Sequence, residues 1–208
     1  MSKREWSYSF RKGIELKEEI QRLKRTIGDR FKSKTFSNFD KSKCPKAYEI
    51  CRTYAKNFLS NRDQGIGLFI TGSVGSGKTH LVSAIIDYIA RVYKRKVDDL
   101  IFITSVNLLS RIKFSFENKT TESLLKKLEA ADLLVIDDLG IEKSSDWTYE
   151  IFYKIIDSRY SNLLPVIITS NLTDTELKEK MSERIVSRLY EMCKGIKLTG
   201  KDYRMSGS

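Results

Sequence analysis

The 208-residue sequence is poor in the residues that build metal centres and covalent staples. Histidine occurs once, as His80, and cysteine three times, at Cys44, Cys51 and Cys193. The cysteines are scattered and no C-x-x-C occurs, so neither a zinc site nor a disulfide framework is expected. Long apolar runs are also missing, and none approaches the ~20 residues that a membrane span requires. The opening residues, Met1-Ser-Lys-Arg-Glu-Trp6, lack the apolar stretch of a secretory leader, so the expected compartment is the cytoplasm. Acidic charge is the scarcer sign: 27 Asp/Glu face 38 Lys/Arg, a formal net charge of +11. The surplus is uneven, with 14 Lys/Arg against 6 Asp/Glu in residues 1–46. Such an arm fits an anionic partner, nucleic acid or an acidic protein surface, and fits equally a solvated, solubilising face. The rest, 40% hydrophobic and 31% charged overall, describes a soluble globular chain with one sizeable core and a short appendage.

Against this background one stretch stands out, Gly72-Ser73-Val74-Gly75-Ser76-Gly77-Lys78-Thr79. It follows the apolar, β-prone run Gly67–Thr71 and precedes residues 80–93, whose apolar side chains fall at helical spacing. Strand, glycine-rich loop and helix in that order are what a phosphate-binding P-loop requires. The glycines let the backbone turn its N–H groups towards an anion, and the helix adds free N–H groups and the positive end of its dipole. Lys78 can reach β- and γ-phosphates, and Thr79 can place a hydroxyl on Mg²⁺.

The remaining chain reads as alternating strands and helices. Leu16, Ile20, Leu23 and Ile27 make one apolar stripe on a short N-terminal helix, which either packs on the body or binds a partner. Residues 28–43 are polar apart from Phe31, Phe36 and Phe39 and read as a linker with surface aromatics. Pro45 opens a helix expected to run to about Leu59, followed by a loop over 60–67. Strands are expected at Gly67–Thr71, Leu100–Thr104, Leu133–Ile136, Pro165–Thr169 and Gly195–Leu198. Helices are expected at Lys78–Lys94, Val106–Phe116, Glu122–Ala131, Asp146–Tyr160, Thr173–Met181 and Ser182–Met192. This order is an α/β fold on a parallel sheet, with the all-apolar run 133–136 at its centre.

Two acids, Asp137 and Asp138, end that central run, at the sheet edge where ligands bind. Asp137 is the candidate Mg²⁺ ligand and Asp138 the base that polarises the attacking water. Many ATPases of this kind carry Glu at the second position. The shorter Asp predicts slow intrinsic hydrolysis. Asn171, after the next strand, can approach the γ-phosphate if that strand neighbours the P-loop strand. Arg184 and Arg188 are four apart on one helical face. They suit either pairing with Glu183 or Glu191, or supply of an arginine to a neighbouring subunit's phosphate.

Taken together, these residues resemble the AAA+ ATPases of the DnaC/DnaI helicase-loader group. The likeness rests on Thr35-Phe-Ser-Asn-Phe-Asp40, Gly72–Leu81, Leu134-Val-Ile-Asp-Asp-Leu-Gly140, Ile168-Thr-Ser-Asn-Leu172, Glu183-Arg-Ile-Val-Ser-Arg-Leu189 and Gly200-Lys-Asp-Tyr-Arg204. It implies a five-stranded parallel sheet flanked by helices over residues 35–204, preceded by a basic extension (1–34) and followed by a tail (205–208). It implies ATP and Mg²⁺ as ligands, with His80 closing the phosphate-binding run and Phe36 and Phe39 as candidates for the adenine pocket. Asn171 matches the sensor-1 position and Arg188 the finger that acts in trans. Residues 106–131 match a helical insertion that touches single-stranded DNA, where Arg111, Lys113, Lys126 and Lys127 supply charge and Phe114 and Phe116 supply stacking faces. The expected partners are a DnaB-type replicative helicase, single-stranded DNA and further copies of the chain, with no membrane.

The departures bear on function too. Such loaders usually carry a larger N-terminal domain; here about 34 residues without metal ligands precede the body, so helicase docking is expected to rest on the stripe Leu16–Ile27 or to be absent. The sequence ends soon after Arg204, with no room for a full helical lid, so Arg204 is the candidate substitute for a sensor-2 arginine. An IstB-like transposition helper shares these motifs and stays open as an alternative. So does a weakly hydrolysing nucleotide-switch scaffold. A small-molecule kinase fits less well, because the space after the fourth strand holds one arginine pair where a kinase places an arginine-rich lid.

Overall fold

The computed structural model describes residues 31–93, 99–142 and 145–199. The stripe Leu16–Ile27, Arg204 and the boundary of the proposed tail lie outside these residues. The five expected strands form one parallel sheet: β1 (Gly67–Gly72), β2 (Leu100–Thr104), β3 (Leu133–Leu139), β4 (Val166–Ser170) and β5 (Cys193–Leu198), in the order β2-β3-β4-β1-β5. Because β4 lies beside β1, with Thr71 opposite Ser170, the residue after β4 emerges next to the P-loop.

Strand residues alternate between two cores. Leu68, Ile70, Leu133, Val135 and Ile167 face a layer made by α1 (Pro45–Lys56) and α3 (Lys78–Val92). Phe69, Leu134, Ile136, Val166 and Ile168 face the opposite layer, made by α4 (Ser105–Glu117), α5 (Thr121–Ala130), α6 (Asp146–Ser161) and α7 (Asp174–Met192). Burial on both faces explains why the strand sequences are continuous apolar runs. Among the described residues no helix is long and apolar enough to cross a membrane.

Four local differences from the sequence reading have physical causes. The Pro45 helix stops at Lys56, because Asn57 leaves helical geometry (φ −102°, ψ 22°). The expected loop then begins with a separate short helix, α2 (Phe58–Asp63), whose Asn61 side chain donates back to Tyr54 O at 3.1 Å. Residues 31–43 are no surface linker. A 3₁₀ turn at Phe36–Asn38 brings Phe31, Phe36 and Phe39 onto the α1–α3 core, with Phe36 edge-on to Tyr48 and Tyr88. β3 runs on to Leu139 past a register shift between Ile136 and Leu139. Finally, the helices expected either side of residue 182 form one kinked element, with Ser182 at φ 69°.

A buried cation braces the far side of the sheet. Arg159 is fully buried and donates to the carbonyls of Leu128, Glu129, Ala131 and Pro165 at 2.6–3.3 Å. It ties the end of α5 and the start of β4 to α6.

Candidate functional site

The C-terminal ends of β1, β3 and β4 converge on a cavity of about 360 Å³ whose floor is the Gly72–Thr79 loop. Gly77 caps α3 at φ 97°, a conformation that favours glycine, and a Cβ there would come within 3.1 Å of the Phe39 ring. That glycine therefore serves both the tight turn and the approach of the 31–40 segment to the loop.

Lys78 opens α3 and is almost fully buried. Its ammonium donates to Gly72 O at 2.8 Å and Ser73 O at 2.9 Å and contacts Asn171 Oδ1. The cation thus bridges the P-loop and the end of β4. Ser76 Oγ, also buried, makes no hydrogen bond, which leaves an unused polar atom within the loop. One residue on, Thr79 Oγ1 donates to Asp137 Oδ2 at 3.0 Å. A hydroxyl and a carboxylate paired across 58 residues make a hard oxygen set of the kind Mg²⁺ takes. Polyphosphate donors and a divalent-cation set are therefore side by side.

Asp137 is 3% exposed. Burial pushes its carboxyl up to about 6. The Thr169 hydroxyl, donating at 2.6 Å, opposes that rise, the neighbouring Asp138 charge adds to it, and Thr79 and Lys78 lower it. A divalent cation at this point would reverse the balance, because it favours the ionised form. Asp138 is a non-glycine residue in the left-handed region (φ 56°). This conformation costs roughly 1–2 kcal/mol for an L-residue and follows from the register break in β3. Thr169 serves both acids: its oxygen also accepts the Asp138 N–H at 2.9 Å. Sequence reading quoted Thr169 within Ile168–Leu172 but gave it no role, because nothing in that run says which acids its hydroxyl meets.

Comparison with known proteins decides the family. The model of the bacterial DnaA ATPase domain matches residues 31–196. The chain belongs to that family. Within it, the fold is that of an AAA+ P-loop nucleoside triphosphatase of the DnaC/DnaI type. The crystal structure of a DnaC helicase loader superposes with a TM-score of 0.74 at 30% identity, covering 83% of this chain and all of that one. The replicative helicase loader DnaC of Buchnera aphidicola (subsp. Schizaphis graminum) is 33% identical over 148 residues, 69% of this chain and 57% of that protein. The uncharacterized protein YqaM of Bacillus subtilis (strain 168) is 31% identical over 206 residues, 91% of this chain and 63% of that protein. The chain therefore spans less than two thirds of the length of these curated relatives.

The remaining candidates of this DnaA-family chain fall into three groups. At the wall opposite Asn171, Phe39 lines the cavity and stacks on Tyr48 at 5.9 Å, whereas Phe36 packs into the core behind it. The His80 ring is held by the same segment. Its Nε2 lies 3.0 Å from both Thr35 O and Asn38 Oδ1, and the ring stands perpendicular to that of Phe39 at 5.0 Å. Burial lowers the His80 pKa, with the bond to Thr35 opposing that shift and Lys34 adding to it. Phe31, Lys34, Asn38, Asp40 and Lys43 complete this wall. The sequence reading gave these five no part in the site, because the segment reads as polar linker.

The arginine pair lies away from the cavity of its own chain. Arg184 is exposed. Arg188 makes an ion pair with Asp157 at 2.6 Å, on α6, in place of the expected Glu183 or Glu191. Its guanidinium sits over the rings of Tyr153 and Tyr160 at 5.1 and 5.7 Å.

On α4 and α5 the six nucleic-acid candidates divide. Arg111, Phe114 and Lys127 line one shallow groove, with Phe114 66% exposed. Lys113 and Phe116 turn to the other side, against the Trp147 ring. Lys126 pairs with Glu122 at 2.7 Å on the surface.

Proposed function

We propose that this chain is the ATPase of a helicase loader, which binds ATP with Mg²⁺, contacts single-stranded DNA and delivers a DnaB-type replicative helicase. The observation that carries the reading is the convergence of Lys78, Thr79, Asp138 and Asn171 on one cavity, with Asp137 bonded to Thr79 beneath it, in a fold that superposes on the whole crystallised chain of a DnaC loader. In this reading Lys78 and the loop N–H groups of residues 72–79 hold the phosphates, and His80, Asn38 and Phe39 form the wall against which the base rests. Thr79 and Asp137 hold Mg²⁺, which neutralises charge on the β- and γ-phosphates. Asp138 accepts a proton from the attacking water as the bond between the γ-phosphorus and the ADP oxygen breaks, and Asn171 orients that water. Arg188 reaches the γ-phosphate of a neighbouring copy after release from Asp157. Arg111, Phe114 and Lys127 contribute the contact with single-stranded DNA through charge and stacking. Arg184 and Arg204 stay candidates for the subunit interface and for a lid substitute.

The partner is tested by co-purification. The full chain, mixed with purified DnaB-type hexamers, is expected to form a complex whose stability changes between ATP and ADP. Absence of any complex with several such helicases, under both nucleotides, would refute the loader assignment.

A further inference from the structure

Five backbone groups of the turn around the second acid, Asp138 N and O, Leu139 O, and Gly140 N and O, are held by side chains. Asp138 N–H is taken by Thr169 of β4, Leu139 O by the Ser170 hydroxyl at 2.7 Å, and Gly140 O by Lys180 Nζ of α7 at 2.6 Å. Two contacts remain, and both lead to one buried acid, Glu142. Its two carboxylate oxygens each lie 3.1 Å from Gly140 N, which donates to them. Oε2 also lies 2.7 Å from the hydroxyl of Ser105, the first residue of α4. That same hydroxyl is 2.9 Å from Asp138 O, so one Ser105 hydrogen faces the carbonyl of the candidate base and the Glu142 carboxylate together. Ser105 is fully buried and Glu142 is 8% exposed.

The choice of a carboxylate here is informative. Among the described residues no lysine or arginine makes an ion pair with Glu142. A buried carboxylate held by an N–H and a hydroxyl is a costly way to fill space that a hydrophobic side chain would fill at lower cost. A carboxylate offers what an apolar residue cannot, two acceptors spaced to hold an N–H and a hydroxyl at once. The object held is the left-handed Asp138, at φ 56° just past the register break in β3. Gly140 is equally constrained, since a Cβ there would meet Leu172 at 2.3 Å.

We infer that Glu142 is a positioning residue for hydrolysis, fixing the Asp138 carboxylate through Gly140 and through the Ser105 hydroxyl at the base of α4. The inference rests on the hydrolytic role given to Asp138 above and extends it. The helix that carries Arg111 and Phe114 and the turn that carries the base share one buried carboxylate, so a load on α4 is felt at Asp138.

The test uses the full chain with Glu142→Ala, Glu142→Gln, Ser105→Ala and the double variant Ser105→Ala/Glu142→Ala. Binding of a fluorescent ATP analogue and single-turnover hydrolysis of ATP are read separately. Glu142→Ala is expected to slow hydrolysis about 10- to 100-fold, as misplacement of a reacting group by an ångström does, with nucleotide affinity within about twofold. Glu142→Gln keeps one acceptor and recovers part of the rate. Adding Ser105→Ala to Glu142→Ala produces little further loss, because both act on one contact. Should Glu142→Ala fail to fold, Glu142→Gln and Ser105→Ala carry the test. Wild-type rates in both, or parallel loss of affinity and rate in either, overturn the inference. A wild-type chain that binds ATP and never hydrolyses it overturns this inference and the hydrolytic reading together. Wild-type turnover with unaffected variants overturns this one alone.

Discussion

Replacing Asp137 by Asn should stabilise the nucleotide-free protein while removing the carboxylate proposed to hold Mg²⁺. Burial pushes the Asp137 carboxyl up to about 6 from an ordinary 3.8. Between these values the folded chain holds a proton that the unfolded chain has released, so stability falls as pH rises through this window. Above pH 6 the full difference, at 1.36 kcal/mol per pH unit, comes to about 3 kcal/mol. At pH 5 the ionised fraction in the folded state is small and roughly half of the penalty remains. Asn can replace the geometry: its carbonyl accepts from Thr169, and its amide donates to Thr79 Oγ1, which can rotate its own hydrogen away. The expected gain is therefore about 1–3 kcal/mol at pH 7.5, or several degrees in Tm for a chain of this size, and smaller at pH 5. Thermal unfolding with and without Mg·ATP is the assay. Mg·ATP should raise the Tm of the wild type and leave Asp137→Asn nearly unmoved. A variant less stable than wild type at pH 7.5, or equally stabilised at both pH values, would refute the reasoning.

Other outcomes follow from the same contacts. Arg159→Leu leaves four carbonyls without their donor and should destabilise the chain by about 3–5 kcal/mol, read as a shifted midpoint in urea. Thr169→Val deprives both acids of a partner. It should lower the single-turnover rate and raise the Mg²⁺ concentration needed for half-maximal nucleotide binding, whereas unchanged metal dependence would contradict the role given to Thr169. Arg188→Ala should leave ATP affinity of the dilute chain within about twofold and slow hydrolysis in the assembled state by about a thousandfold. An equal loss at concentrations where chains stay apart would mean that Arg188 acts within its own subunit.

Much of the sheet and the phosphate loop was legible because the signals are local. Runs such as Leu133–Ile136 are buried on both faces and show it in four consecutive residues, and the loop 72–79 needs only its own neighbours for its geometry. Ser182 was read as a helix start and is the point where α7 leaves helical geometry. What was not legible depends on residues far apart in the chain. Arg188 finds Asp157 at a distance of 31 residues, Ser105 finds Glu142 at 37, and His80 finds Thr35 at 45. None of these partners is periodic, and Glu191, the nearer candidate for Arg188, accepts instead from Tyr160. Phe31, Phe36 and Phe39 were misread for a related reason. Isolated aromatics in a polar stretch carry no period, and only the packing against Tyr48 and Tyr88 shows that the segment belongs to the body.

The most direct measurement is helicase delivery on a primer-free single-stranded circle. DnaB-type hexamers are incubated with this protein, ATP and Mg²⁺, and loaded helicase is counted by strand unwinding after free protein is removed. The account predicts loading by the wild-type chain and none by Lys78→Ala, whose P-loop lacks the ammonium that joins Gly72, Ser73 and Asn171. Loading by Lys78→Ala at the wild-type level would contradict it.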